Sequence, residues 1–175
     1  MPKLKTYLIG SIQDSKDGGI NWREELSKKL LDLGFEVLDP TKLECNHSLA
    51  PTVEEQKKKL ENLKRAGEWD IWDKTMDAIQ KEDIICVNAS AFVIVFYNAS
   101  KKLGGTIEEI IEALHKGVPI YTISYNSWIE WNDWTLRNCR KSFRDGGKIF
   151  HNPKQCIDHI KETYKDYIKV HGKHD

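Results

Sequence analysis

Three side chains in this sequence have the types and settings to act together on an electron-poor carbon. Glu109 follows Gly104-Gly105-Thr106, a glycine-rich entry to a helix expected over Ile107 to Lys116. That register places Glu109 in the first turn, where the helix dipole favours the ionised carboxylate. Ala113, one turn later, leaves space above it. An ionised and fixed glutamate can attack a centre such as an anomeric carbon. Its neighbours Glu108 and Glu112 read as a solvated face, and all three glutamates are expected opposite an Ile107/Ile110/Ile111/Leu114 stripe. Asp83 is the second carboxylate. It interrupts an apolar helical stripe of Trp72, Met76, Ile79 and Val87, at steps of four, three, four and four. A carboxylate there either caps the wet end of the stripe or needs a buried partner, such as a departing base. Tyr7, three residues before Gly10-Ser11, either packs in the core or carries a hydroxyl toward the glutamate.

The elements that must position these groups alternate. Thr6 to Ile9 reads as a first strand, stopped by Gly10-Ser11, and Asp17-Gly18-Gly19 as a turn. Asn21 with Glu24 has the capping-box spacing for a helix bearing Trp22, Leu26, Leu30 and Leu33, closed by Gly34. Phe35 to Pro40 is a second strand. Within 41–68, Glu54 to Arg65 reads as an exposed helix inside an insertion, and a long helix runs from Asp70 to Asn88. Ala91 to Tyr97 is continuously apolar, as a strand buried on both faces must be. Pro119 to Ser124 is a fourth strand and Lys148 to His151 a short edge strand. Pro153 to about Val170 is a closing helix. The Trp-rich segment 125–146 reads as loop with some helix, and Trp128, Trp131 and Trp134 as packing against the body or a second subunit.

This alternation predicts one α/β domain over 1–175: a flavodoxin-like, doubly wound, five-stranded parallel sheet with helices on both faces. Ligands of such sheets sit outside the carboxyl ends of the strands, where strand order reverses. Gly10-Ser11-Ile12, Asp39-Pro40, Tyr97-Asn98-Ala99-Ser100 and Gly104-Gly105-Thr106 all converge there. Gly10, Ser11, Ile12, Asn98, Gly105 and Thr106 are therefore the candidate substrate contacts.

Composition narrows the classes. The 175 residues carry 27 basic and 27 acidic side chains, which argues against a nucleic-acid partner. The longest apolar run is far short of the ~20 residues of a membrane helix, so no membrane partner is expected. The opening Met-Pro-Lys-Leu-Lys leads directly into a strand, so no signal peptide is expected and a cytoplasmic location is. Cys45, Cys86, Cys139 and Cys156 are scattered, without C-x-x-C, and read as reduced thiols. The six histidines form no ligand spacing, so neither a metal nor a cofactor is expected.

Several segments also resemble one family. Tyr7-Leu-Ile-Gly-Ser-Ile12, then Trp22-Arg23, then Leu33-Gly-Phe-Glu-Val-Leu-Asp-Pro40 resemble the opening of nucleoside 2-deoxyribosyltransferases. Asp83 followed by Phe92-Val-Ile-Val95 resembles their middle. Gly105-Thr-Ile-Glu-Glu-Ile-Ile-Glu-Ala113 resembles their nucleophile motif, Gly-Thr-x-x-Glu-x-x-x-Ala. The match covers most of residues 4–124. The resemblance implies that Glu109 attacks C1′ of a 2′-deoxynucleoside and that Asp83 contacts and helps protonate the leaving base. It further implies that Tyr7 lies beside the nucleophile and that the protein assembles as a dimer or larger homo-oligomer. The sugar then passes to a second base in a transferase, or to water in the related deoxynucleoside monophosphate N-hydrolases. The chain departs from both patterns. Leu103 stands where transferases often carry an acidic residue and the hydrolases a serine, and Gln13 where the hydrolases carry arginine. Lys101, Lys102 and Ser100 are the alternative candidates for a 5′-phosphate. A silent nucleotide-binding module is the remaining alternative.

Overall fold

The computed structural model describes residues 2–12, 17–42, 52–101 and 103–173. Of the residues singled out above, Gln13, Cys45 and Lys102, with 43–51 of the insertion, lie outside them. Five parallel strands, β1 (Lys5–Gly10), β2 (Glu36–Leu38), β3 (Phe92–Phe96), β4 (Ile120–Ile123) and β5 (Lys148–Phe150), form one sheet in the order β2-β1-β3-β4-β5. The expected doubly wound, flavodoxin-like α/β arrangement is present. β3 is Phe-Val-Ile-Val-Phe, and its first four residues are fully buried. That follows from its place between β1 and β4 with a helical layer on each side.

Seven α-helices are present among the described residues: α1 (Ile20–Asp32), α2 (Val53–Ala66), α3 (Trp69–Asn88), α4 (Gly104–His115), α5 (Asp133–Lys141), α6 (Pro153–Thr163) and α7 (Lys165–His171). Alternation along the strands divides the core between two faces. On one, Tyr7, Ile9, Val93 and Val95 pack with Val87 of α3, Ile110 and Ala113 of α4, and Cys139 of α5. On the other, Leu8, Phe92, Ile94 and Tyr121 pack with Leu26 and Leu30 of α1 and Ile157 and Ile160 of α6. Cys86, Cys139 and Cys156 are free and buried.

Several local expectations are corrected. Asn21 does not cap α1. The helix starts earlier, at Ile20 behind Gly19, and the Asp17 carboxylate accepts from the Gly19 and Asn21 amides instead. The second strand contracts from 35–40 to Glu36–Leu38, because Asp39 turns its carboxylate onto the Thr41 amide and hydroxyl. The closing helix breaks at Tyr164, whose ring packs on Phe35 and Phe92. Segment 125–146 is more helical than expected, since Asn132 caps α5 through the Trp134 and Thr135 amides. Trp131 alone of its three tryptophans is buried, its ring tilted against that of Tyr97 with centroids 4.1 Å apart, while Trp128 and Trp134 are exposed. No helix is long and apolar enough to cross a membrane among the described residues.

Candidate active site

Strand order reverses between β1 and β3, whose carboxyl ends pair Gly10 with Phe96. A cavity of about 630 Å³ opens there. Gly10, Ser11 and Ile12 line it from the end of β1, and Gly104, Gly105, Thr106, Glu108 and Glu109 from α4. Trp72, Met76, Ile79 and Asp83 line it from α3, so the stripe read in the sequence faces the cavity as well as the core. The α2 helix supplies the remaining wall with Gln56, Lys57, Leu60 and Lys64.

The three chemistry-bearing side chains meet. The Tyr7 hydroxyl lies 2.6 Å from Asp83 Oδ1 and 2.8 Å from Glu109 Oε1. Tyr7 comes from mid-β1, Asp83 from the penultimate turn of α3, and Glu109 from α4. Tyr7 is fully buried, and Glu109 is only 8% exposed. Among the described residues, no group of three or more His, Cys, Asp or Glu side chains could hold a metal ion.

The register of Glu109 corrects an expectation. The α4 helix begins at Gly104, three residues before the expected start, so Glu109 lies beyond the first turn. It shares the buried face with Thr106, Ile110 and Ala113, while Ile111 turns outward. The helix dipole therefore does not hold it ionised. Burial, and then the charge of Asp83, push its carboxyl up to about 8, against a hydrogen bond from Tyr7 and the charge of Arg23. Burial also raises Asp83, to about 6. Glu108, by contrast, is exposed and accepts from Gln80 Nε2 at 2.7 Å.

Proton counting shows what this geometry favours. Tyr7 has one hydroxyl proton for two carboxyl neighbours. With both carboxylates ionised, one of the short contacts is oxygen against oxygen without a proton. With one extra proton on the pair, both contacts are hydrogen bonds: protonated Asp83 donates to Tyr7, and Tyr7 donates to ionised Glu109, or the reverse. With that one proton the three groups form a continuous hydrogen-bonded chain along which it can shift. The Tyr7 hydroxyl itself is held well above its ordinary range, by burial and then by the two carboxylate charges.

Arg23 is the functional residue the sequence reading did not single out beyond its place in a motif. It is completely buried. Its guanidinium donates to the carbonyls of Gly10 at 2.7 Å, Gly19 at 3.0 Å and Leu8 at 3.3 Å, and stands 3.8 Å from Asp39 Oδ1. It thus ties the β1 end, the turn before α1 and the β2 end into one floor. Gly10 is required there, because a Cβ would come within 2.8 Å of the Trp22 ring and 3.2 Å of the Phe96 carbonyl oxygen. The visible sequence signal was a charged residue facing inward between Trp22 and Leu26 on an otherwise ordinary amphipathic helix.

Of the candidate substrate contacts, Gly10, Ser11, Ile12, Gly105 and Thr106 line the cavity. Asn98 stands at the β3 end but outside that lining, and its Oδ1 accepts from the Ser100 amide and hydroxyl. Lys101 and Ser100 likewise stand outside it. The α2 wall was missed because only residue 60 of that helix is buried, and its cavity residues Gln56, Leu60 and Lys64 recur at a spacing shared by any amphipathic helix. No protein-family model matches this chain, and no curated protein matches it.

Proposed function

We propose that the protein cleaves the N-glycosidic bond of 2′-deoxynucleosides through a covalent deoxyribosyl–Glu109 ester and passes the sugar to another base. The observation that carries this reading is the Tyr7 hydroxyl bridging Asp83 and Glu109 beside a cavity at the strand-order reversal. The resemblance to nucleoside 2-deoxyribosyltransferases agrees with it residue by residue at all three positions.

In this mechanism the resting pair holds its shared proton on Glu109, the more strongly raised carboxyl, and the productive form is the tautomer in which that proton has passed through Tyr7 to Asp83. Ionised Glu109, oriented by the Tyr7 hydrogen bond, attacks C1′. The C1′–N bond breaks, its electron pair stays on the base, and Asp83 delivers its proton there. A second base then attacks C1′, the ester bond to Glu109 breaks, and the proton lost by the acceptor returns to Asp83. Sugar configuration is retained over the two displacements. Burial destabilises the carboxylate before attack, and esterification removes that charge, which favours the covalent intermediate. A 2′-hydroxyl would draw electrons from C1′, so deoxynucleosides react faster than ribonucleosides.

Water can replace the second base, which gives an N-hydrolase on the same machinery. Chromatography of a deoxynucleoside incubated with a different free base separates the readings. A new deoxynucleoside supports transfer. Free deoxyribose alone, or reaction of 5′-monophosphates alone, supports the hydrolase. Absence of any base release leaves the non-catalytic binding module. Glu109→Ala abolishes release in this account while Glu108→Ala changes it little.

A further inference from the structure

The two carboxyls of the cluster both reach the cavity, but their surroundings differ. Glu109 belongs to the buried face of α4, with Thr106, Ile110 and Ala113, and the Tyr7 ring beside it is fully buried. Asp83 is only half-buried on the cavity wall of α3. Water in the open cavity therefore solvates a charge on Asp83 better than one on Glu109. Burial accordingly raises Glu109 further than Asp83. The other charges that act on the pair come from neighbouring elements: Arg23 of α1 on both, Glu82 of α3 on Asp83, and Glu108 of α4 on Glu109. The Tyr7 hydroxyl touches both carboxyls, at 2.6 Å and 2.8 Å. A bound ligand disturbs this balance from one side. A planar base seated against Trp72, Met76 and Ile79 displaces water from Asp83, whereas Glu109 has almost none to lose.

We infer that Glu109 is a neutral acid while the cavity is empty, and that the substrate's base arms it as a nucleophile by drawing the shared proton through Tyr7 onto Asp83 with an in-plane lone pair. This rests on the proposed function and deepens it, because it states which bases react. Loss of water levels the two carboxyls, and the lone pair then favours the protonated form of Asp83 by accepting its hydrogen bond. In the transfer, the Glu109 O–H bond breaks and its electron pair stays on the carboxylate. That proton goes to the Tyr7 oxygen, and Tyr7 passes its own hydroxyl proton to Asp83 and stays neutral. No proton enters or leaves the site. A base with a ring nitrogen or carbonyl oxygen at that point completes the transfer. A base without one binds beside a nucleophile that is still protonated. Tyr7 thus acts on the reaction through its two neighbours, as a positioning residue for the proton.

The test is isotope-edited infrared spectroscopy of the full chain near neutral pH. Carbon-13 carboxyl labels are placed on glutamate in one sample and on aspartate in another, and Glu109→Gln and Asp83→Asn assign the bands. The ligand is the carbocyclic analogue of a deoxynucleoside that the protein turns over. It has no sugar ring oxygen to assist departure of the base and is not cleaved. Its counterparts have carbon in place of a ring nitrogen, or lack the carbonyl, near the glycosidic nitrogen. In the free protein the acid band should belong to Glu109 and the carboxylate band to Asp83. The carbocyclic ligand should exchange them, with no net proton uptake by calorimetry in buffers of different ionisation enthalpy. At least one counterpart should bind and leave the acid band on Glu109. Tyr7→Phe keeps the ring in the core and breaks the chain. The same ligand should then leave Glu109 protonated and bring about one proton from solution onto Asp83. A tyrosine with a structural role alone would leave the exchange intact in that variant. An ionised Glu109 in the free protein overturns this inference, as does an acid band that stays on Glu109 with the carbocyclic ligand. An equal exchange with every counterpart, or one that survives Tyr7→Phe, overturns it too. Base exchange by the unmodified protein keeps the proposed function standing in each of these cases. Absence of base release from every deoxynucleoside overturns both.

Discussion

Replacing Glu109 by glutamine should stabilise the fold, and increasingly so as pH rises. Glutamine keeps the shape and an oxygen that accepts from Tyr7, but it has no charge to bury. The native carboxyl is displaced upward from its ordinary value of 4.5 to about 8. The unfolded chain therefore releases this proton near pH 4.5, whereas the native state holds it until about pH 8. Over that window the native state binds more protons, so stability falls as pH rises. At pH 5 the unfavourable term is under about 1 kcal/mol, and at pH 8 it reaches about 4 kcal/mol, at 1.36 kcal/mol per pKa unit. The gap between Glu109→Gln and the unmodified protein should widen by about 3 kcal/mol between these pH values. For a chain of this size that is ~6–12 °C in Tm. Thermal or urea unfolding of both proteins at pH 5, 6, 7 and 8 reads it directly. A gap that does not change with pH, or a less stable glutamine variant at pH 8, would refute the assignment of Glu109 as a buried, upward-shifted carboxyl.

The same proton count gives the pH dependence of turnover. The pair works with one proton, so kcat/KM should be bell-shaped, with limbs near pH 6 and pH 8, the acid limb from loss of the nucleophile and the basic limb from loss of the acid. A profile flat across pH 5–9 would contradict it. Asp83→Asn should lower kcat by about 10²–10⁴-fold with a smaller change in KM, because its proton is needed as the base departs; unchanged turnover with a lower Tm would make Asp83 structural. Arg23→Met should cost about 3–5 kcal/mol in urea unfolding, since it strands the buried Asp39 and three backbone carbonyls. A loss below ~1 kcal/mol would show that this floor does not depend on the guanidinium.

The sheet was legible because each strand announces itself by composition. Phe92–Phe96 has no polar residue and can only be central, and Lys148–Phe150 is three residues long, opens on a lysine and falls at the edge. The convergence of Tyr7, Asp83 and Glu109 was legible only in part: Asp83 stood out as a carboxylate on an apolar stripe, Tyr7 as a hydroxyl on a buried strand, and Glu109 by its place after Gly104-Gly105-Thr106, although it was expected opposite the apolar face that it shares. What escaped was register and contact at a distance. The start of α4 at Gly104 instead of Ile107 is a shift of three residues, and glycines do not mark it because they fit both the loop and the first turn. That shift turns Glu109 from a dipole-stabilised carboxylate into a buried one that shares a proton. Arg23 was hidden because its partners are carbonyl groups, which every residue carries. The α2 wall was hidden because a half-exposed lysine looks the same whether it faces bulk water or a cavity.

The most direct measurement of the central claim is the covalent intermediate. The protein is mixed with a deoxynucleoside that supports turnover, quenched in acid within one turnover, digested and mapped by mass spectrometry. The account requires one deoxyribosyl group on the peptide that contains Glu109, located on that side chain, lost on adding a free base and absent from Glu109→Gln. Base exchange without any adduct under these conditions, or an adduct on Glu108 or Asp83, would contradict it.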